Sequence, residues 1–303
     1  MALKTVGAKR RMTLARKDEL SGYLFIAPQF IGLLCFILFP VFFSLYISFT
    51  NWDMLSPVEW VGLQNYVKIF TSADVRKVMG NTFEYVLLYI PGTVILSLVL
   101  ALALSTKIKG TTVYRTMFFL PNITSTVAVS LVWLWIYNPD FGILNMILSA
   151  LGLPTQRFLR SLSQAMPSVA FVSIWQSAGY FMVLFIAGIS GIDPTYYEAS
   201  KIDGANWWHN MKSITLPMLS PTLFFVIIIA FIGGFQVFNE IFMLTEGGPA
   251  NATKTMVMHI YNTAFKYFRM GEASVYAWIL FIIIMLVTLV QFKLQKKWVN
   301  YDA

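Results

Sequence analysis

Six runs in this chain are long and apolar enough to cross about 30 Å of hydrocarbon as helices: residues 23–49, 82–104, 118–137, 167–189, 217–244 and 275–294. No other feature restricts the fold so strongly. In lipid a backbone must satisfy its own hydrogen bonds, which leaves helices or closed barrels, and apolar runs of about twenty residues select helices. Charged residues make up 12% of the chain against 57% hydrophobic, about half the charged share of an ordinary soluble domain. The expectation is an all-α membrane protein with six transmembrane helices. The first run follows a basic start, as a signal peptide would. It is far longer than the roughly 7–15 residues of a signal core, and no small-x-small cleavage site follows. It is read as a retained span.

An even number of spans puts both termini on one side. The N-terminal tail, the 105–117 loop, the 190–216 stretch and the C-terminus then share a face holding 14 of the 22 Lys and Arg, against eight on the other. That bias assigns the first face to the cytoplasm. Trp52, Trp60, Trp298 and Tyr301 follow spans, at the level where amphipathic rings favour the interface. The expected division is a basic cytoplasmic tail over 1–20, a first span over 21–50, an extracytoplasmic connection over 51–78, a five-span core over 79–298, and a cytoplasmic end at 299–303. The outward connections 51–81, 138–166 and 245–274 are too short for separate domains, and apolar residues at helical spacing in 141–153 and 260–268 predict short interfacial helices. The net charge of +8 sits largely in Lys4, Lys9, Arg10, Arg11, Arg16 and Lys17, then Lys107, Lys109, Arg115, Lys293, Lys296 and Lys297. That placement is a topology signal, not a nucleic-acid patch. Cys35 is alone, which excludes an intrachain disulfide and a Cys metal cluster.

Several spans are interrupted. Pro121 lies early in the third, Pro217 and Pro221 open the fifth, and Gly233-Gly234 sits mid-way along it. Proline removes a donor and clashes with the preceding turn. In lipid the freed groups need partners, so breaks belong inside a bundle or beside a water-filled cavity; the glycine pair is equally consistent with a close helix crossing. Polar residues accompany these breaks: Gln236, Asn239 and Glu240 in the fifth span, Gln176, Ser177 and Tyr180 in the fourth, Asn122, Thr124, Ser125 and Ser130 in the third. Gln236 and Glu240 are four apart and share a helix face, with Asn239 beside it.

Catalytic and energy-transducing motifs are missing. The chain has no G-x-x-x-x-G-K-[ST], H-E-x-x-H, G-x-S-x-G or paired-Cys pattern, so it has no P-loop for ATP and no familiar hydrolytic set. His209 and His259 fall on opposite sides in the topology above and cannot share a metal. Acids within spans are Glu84 and Glu240, both near outer ends, whereas proton- or ion-coupled carriers bury relays deeper. An enzyme is not expected, and a transporter without its own energy source needs a partner.

Between the fourth and fifth spans lies a segment too polar for the bilayer. Asp193-Pro194 can start a helix, Gly204 can end it in a left-handed C-cap, and Asn206 can cap a second helix over 207–214. From spacing alone, an interfacial amphipathic helix pair without a partner is the simpler reading. Yet Glu198-Ala199-Ser200, three residues, Gly204, nine residues, then Ile214-x-Leu216-Pro217 resembles the EAA loop of ABC-importer permeases, with Ser200 for the second Ala as the sole departure. Residues 235–249, FQVFNEIFMLTEGGP, followed by Ala252-Thr253, resemble the end of the fifth span in carbohydrate-uptake permeases of the maltose-transporter type. So do the YLFIAPQFIGLLCFILFPVFFSLYISFTNW opening and Gly62-Leu63-Gln64-Asn65-Tyr66. The opening is similar to the first of the two paired permeases.

The resemblance implies an ABC type I importer permease fold in a bacterial inner membrane. It implies as partners a second homologous permease, two ATP-binding subunits, and an extracytoplasmic binding protein that delivers a sugar. ATP and Mg would reside on the ATP-binding subunits, with no cofactor or metal on this chain. Residues 193–217 would form the coupling helix loop, with Glu198 as the charged contact, Ala199 and Ser200 packing, Gly204 permitting the turn, and Ile214, Leu216 and Pro217 leading back to the membrane. The candidate sugar contacts are Ser125, Gln176, Ser177, Tyr180, Phe235, Gln236, Asn239 and Glu240. For Glu240 a side chain snorkelling to the interface is the competing role, and Glu84 is read as snorkelling or capping. Alternatives are a permease for an amino acid, phosphate or polyamine, and an ATP-independent secondary carrier or channel.

Overall fold

The computed structural model describes residues 14–106 and 109–300. Lys4, Lys9, Arg10 and Arg11 of the basic tail, Lys107 and Tyr301 lie outside the described residues. The first span runs as α1 (Leu14–Leu33), a wide π turn at Leu34–Leu38, and α2 (Phe39–Ser48). Only 6% of its apolar window is buried, which places it at the edge of the bundle. A two-residue antiparallel ladder follows it, β1 (Thr50–Asn51) with β2 (Glu59–Trp60). Asn65 in α3 (Gln64–Thr71) locks that corner by donating to the carbonyls of Ser48 at 3.0 Å and Thr50 at 2.8 Å.

The second span is α4 (Ala73–Ser105), which begins well before residue 82. Hydropathy located only its apolar part. Its start is set by Ser72, whose hydroxyl accepts from the Asp74 amide at 3.2 Å, so the helix projects a turn or more past the apolar run. The third span is broken into α5 (Thr111–Ile123) and α6 (Thr126–Ile136), bent by 97°. The break falls at Thr124-Ser125, not at Pro121, which stays in the last turn of α5 and weakens it by withholding one donor. After α7 (Ile143–Ala150), the fourth span is α8 (Ala165–Ser190).

Helix α8 is the centre of the bundle, with 61% of its apolar window buried against 28% for α4. It packs on α4 and α5, and its Phe181, Met182 and Phe185 are nearly inaccessible. At Gly179 a Cβ would lie 1.9 Å from the Phe118 carbonyl oxygen, so α8 and α5 touch backbone to backbone. Small residues at helix crossings allow this approach in membranes.

Beyond α8 come α9 (Pro194–Ile202), α10 (Trp207–Asn210) and α11 (Leu216–Met218), with a π turn over Met211–Thr215. The fifth span is α12 (Ser220–Phe235) and, after an unwound step, α13 (Asn239–Leu244). The chain bends by 65° between Trp207–Met218 and Ser220–Phe235. Pro217 and Pro221 flank that bend. The glycine pair does not interrupt the span: α12 runs through it. A Cβ at Gly234 would sit 3.1 Å from Tyr89, so this glycine serves a close crossing with α4, and the unwinding follows at Gln236–Phe238.

Helix α14 (Met256–Tyr261) and a π turn at Asn262–Lys266 precede the last span, α15 (Met270–Gln295). The expected interfacial helices at 141–153 and 260–268 correspond to α7 and to α14 with its π turn. Among the described residues, four helices are long and apolar enough to be continuous spans, and the number reaches six if each of two bent pairs counts as one span. Alternation places residues 190–219 and 296–300 at one end of the bundle, where the Asn300 amide donates to Ser220 Oγ at 2.9 Å. Residues 50–72 and 245–269 share the other end.

Candidate functional site: a hairpin at one end and a cavity between two broken helices

The 193–217 hairpin is built from local capping chemistry. Asp193 accepts from the Thr195 amide at 2.9 Å and starts α9 with Pro194 in the first turn. Gly204, at φ +75°, reverses the chain, and the Ala205 amide returns to the Ser200 carbonyl at 2.9 Å, closing the C-cap. Asn206 then accepts from the His209 amide at 2.9 Å. The second limb is a single turn of α-helix followed by the π turn, in place of one helix over 207–214. Tyr197 Oη and Thr215 Oγ1 meet at 3.0 Å and tie the two limbs together.

Burial divides the hairpin. Ser200 and Thr215 are buried, and the Ser200 hydroxyl is satisfied by the Tyr197 carbonyl at 2.9 Å. Glu198 and Ala199 are exposed, Ile214 and Pro217 half-buried, and Leu216 exposed at the exit. Glu198 takes part in none of the ion pairs among the described residues. At the tip Ile202 is 88% exposed, Trp208 73% and Trp207 59%. So much uncovered apolar surface on a polar segment marks an interaction surface. The two tryptophans pack edge to face at 4.7 Å. Sequence reasoning passed over them; their adjacency in an otherwise polar run was the available signal.

Inside the bundle the two breaks face each other across a cavity of about 260 Å³. Five of the eight residues expected together line it: Gln176, Ser177, Gln236, Asn239 and Glu240. The other three lie elsewhere. Phe235, 1% exposed, points into the core between Phe83 and Phe231. Tyr180 packs edge to face on Phe181, and Ser125 is exposed outside the cavity, because the break turns Asn122 and Thr126 inward instead. The cavity also holds Tyr85, Tyr89 and Ser173, which sequence reading did not select. Tyr85 and Tyr89 are one helical turn apart and stack at 5.5 Å, 12° from parallel. Their i, i+4 spacing was visible, and Glu84, read as snorkelling or capping, is exposed beside them.

Both breaks find substitutes for their lost helix bonds. Gln176 reaches the Thr124 carbonyl at 3.4 Å and Thr126 Oγ1 at 3.3 Å, while Thr255 Oγ1 donates to the Val237 carbonyl at 3.3 Å. The contacts of Gln176 are long, and its Oε1 has no partner. The arrangement offers amides, hydroxyls, one carboxylate and two aromatic faces. Among the described residues no group of three His, Cys, Asp or Glu side chains could hold a metal.

Residues 85–300 match the family described as the inner membrane component of binding-protein-dependent transport systems. The chain is 37% identical over 302 residues to the probable ABC transporter permease protein YesP of Bacillus subtilis, covering 98% of this chain and 97% of that one. It is 37% identical over 279 residues to the multiple sugar-binding transport system permease protein MsmF of Streptococcus mutans, covering 91% and 95%. To the trehalose/maltose transport system permease protein MalF of Thermococcus litoralis it is 31% identical over 287 residues, covering 93% and 96%. Among solved structures, a chain of a bacterial alginate ABC transporter superposes with a TM-score of 0.83 at 23% identity, covering 93% of this chain and 96% of that one, which is a likeness of fold. The extent of the family match and of the curated relatives settles the class: the chain is a membrane transport component, a permease subunit of the binding-protein-dependent ABC importer family.

Proposed function

We propose that this chain is one permease of a paired set that imports a sugar, driven by ATP hydrolysis on partner subunits. The observation that carries the reading is the cavity between the two broken helices, whose lining pairs amides and a carboxylate with stacked tyrosine faces. Sugars present hydroxyls around their rim and apolar C–H faces, and this combination suits both. Relatives named for multiple sugars, trehalose and maltose support the substrate class.

The 193–217 hairpin takes the ATP-binding partner, which carries ATP and Mg. Its apolar tip (Ile202, Trp207, Trp208) seats in that subunit, and Glu198 supplies a charged contact at the rim. The hairpin faces the cytoplasm, together with both termini, and the opposite end receives the extracytoplasmic binding protein. Because the hairpin limbs are joined through Tyr197 and Thr215 and run directly into the bend before α12, a push at the tip is delivered to α12, beyond whose far end lie Gln236, Asn239 and Glu240. Nucleotide-driven closure then biases the bundle between inward- and outward-open states.

Reconstitution tests this reading. In liposomes, uptake of the binding protein's sugar should require the second permease, the ATP-binding subunits and enclosed ATP. Uptake by this chain alone, without ATP, would establish a secondary carrier instead.

A further inference from the structure

The inner cavity has one carboxylate on its wall and, among the described residues, no cation. Glu240 is half-buried there. The other lining side chains are amides, hydroxyls, tyrosines and apolar groups, with no Lys, Arg or His. Glu240 takes part in none of the ion pairs among the described residues. An ionisable residue within a span ordinarily pairs with an opposite charge or serves a pathway.

Cations gather instead around a separate cavity of about 390 Å³ at the end opposite the hairpin, lined by Lys68, Lys77, Lys254 and Arg269. Val78 of α4 lines that cavity and Tyr85 the inner one. Between them in the chain, Asn81 donates to the carbonyls of Asn251 at 2.7 Å and Lys254 at 3.0 Å, and Thr82 Oγ1 accepts from the Met256 amide at 2.9 Å. These bonds hold the 251–256 segment against α4, and the cations and the lone carboxylate line different cavities.

Local structure gives Glu240 one further role. It lies in the first turn of α13, where a carboxylate complements the helix N-terminus. That role is indifferent to the solute, whereas the cavity wall is not. Glu240 shares it with the stacked rings of Tyr85 and Tyr89 and with exposed Gln236 and Asn239. In a site shielded from bulk water, a unit charge about 6 Å from another changes affinity by about tenfold or more, in the direction set by the two signs. A uronate would bring a second carboxylate to this wall with no cation to offset it. A neutral sugar donates hydroxyls to Glu240 and lays its apolar face on a ring. An ammonium gains both the carboxylate and the face of a tyrosine.

We propose that Glu240 is a charge filter in the inner cavity: it excludes sugars that bear a carboxylate, admits neutral sugars and favours those with a free amine. The proposal rests on the importer reading and adds to it a selection by charge.

The test is equilibrium binding at pH 6.5 to the detergent-purified assembled transporter, without binding protein. The probes are glucosamine, glucose and glucuronate, and the galactosamine, galactose and galacturonate set. In at least one set the wild type should bind amine, neutral sugar and uronate in falling order, with about tenfold or more between the first and the last. Glu240→Gln keeps the side chain's shape and should bring the three within about threefold of one another, while Glu240→Asp should keep the order. Gln236→Glu, which adds a carboxylate to the same wall, should widen the spread and serves as the second variant. A uronate bound as tightly as its neutral counterpart by wild type, the same spread in Glu240→Gln as in wild type, or no binding of any probe would overturn the proposal. So would loss of the second permease from the Glu240→Gln complex, which would give this carboxylate a partner in that subunit. Failure of ATP-driven uptake with every sugar, while the order of binding persists and depends on Glu240, would sink the importer reading and leave the filter standing.

Discussion

The hydroxyl of Tyr197 lies 3.0 Å from Oγ1 of Thr215, and this is the one side-chain bond that joins the two limbs of the 193–217 hairpin among the bonds described. Thr215 is buried and one residue from Leu216, where the chain turns back into the bundle. The contact therefore makes the exposed tip and the base of the fifth span parts of one body. Tyr197→Phe removes the bond while keeping the ring. It should leave the assembled complex intact and reduce uptake per ATP hydrolysed by a few-fold, in keeping with a hydrogen bond of about 1 kcal/mol. A ratio of uptake to hydrolysis equal to wild type would show that the limbs need no such link.

At Gly204 the requirement is conformational only. The residue is at φ +75° and a Cβ there would meet nothing within 4 Å. Gly204→Val should cost about 1–2 kcal/mol of hairpin stability from the left-handed backbone, whereas Gly204→Asn should be close to wild type because Asn tolerates that region. Hydrogen exchange of residues 194–215 reads this directly: faster exchange in the valine variant alone is expected, and equal exchange in both variants would contradict it.

The cavity makes a split prediction over the expected contacts. Gln236→Ala and Asn239→Ala should each lower sugar uptake by about tenfold, the upper end for a hydrogen bond to a neutral partner, with the complex still assembled. Ser125→Ala and Tyr180→Phe should be near wild type, since neither residue lines the cavity. If Ser125→Ala matched Gln236→Ala in uptake, the solute would lie on the far side of the α5–α6 break.

What the sequence made legible was whatever depends on short-range chemistry. The hairpin followed from Asp193, Gly204 and Asn206, each of which caps or reverses the chain by its own bonds. Six spans followed from hydropathy. The ends and interiors of spans were harder, because they depend on partners distant in sequence. Helix α4 overran its apolar run through the Ser72 cap, and the bend in the third span fell past Pro121 where Gln176, from another helix, could reach Thr124 and Thr126. Phe235 stood beside Gln236 in a run with no indication of facing; only the crossing at Gly234 turns it into the core.

His259 carries a pH prediction. Burial first, then the nearby Lys254 charge, lowers its pKa to about 4, with Asp74 and Glu272 opposing and Arg269 reinforcing. The unfolded value is about 6.5, so between the two values the unfolded chain binds a proton that the folded chain does not. Stability from this group is complete above about pH 6.5 and is lost as pH falls toward 4. Thermal unfolding of the purified complex at pH 7.5 and 5 should show a larger drop for wild type than for His259→Gln. Equal drops would mean that the imidazole charges freely in the folded protein.

ATP-driven motion that enters this chain at the hairpin tip would be caught by a photocross-linker placed at Trp208 in the assembled, membrane-embedded transporter. Trp208 is 73% exposed here, and Trp207 is its ring neighbour among the described residues. The predicted product joins this chain to the ATP-binding subunit, with a yield that changes between nucleotide-free and ATP-trapped states and falls when Glu198→Lys is added. Cross-links confined to lipid or to this chain itself, unchanged by nucleotide, would contradict it.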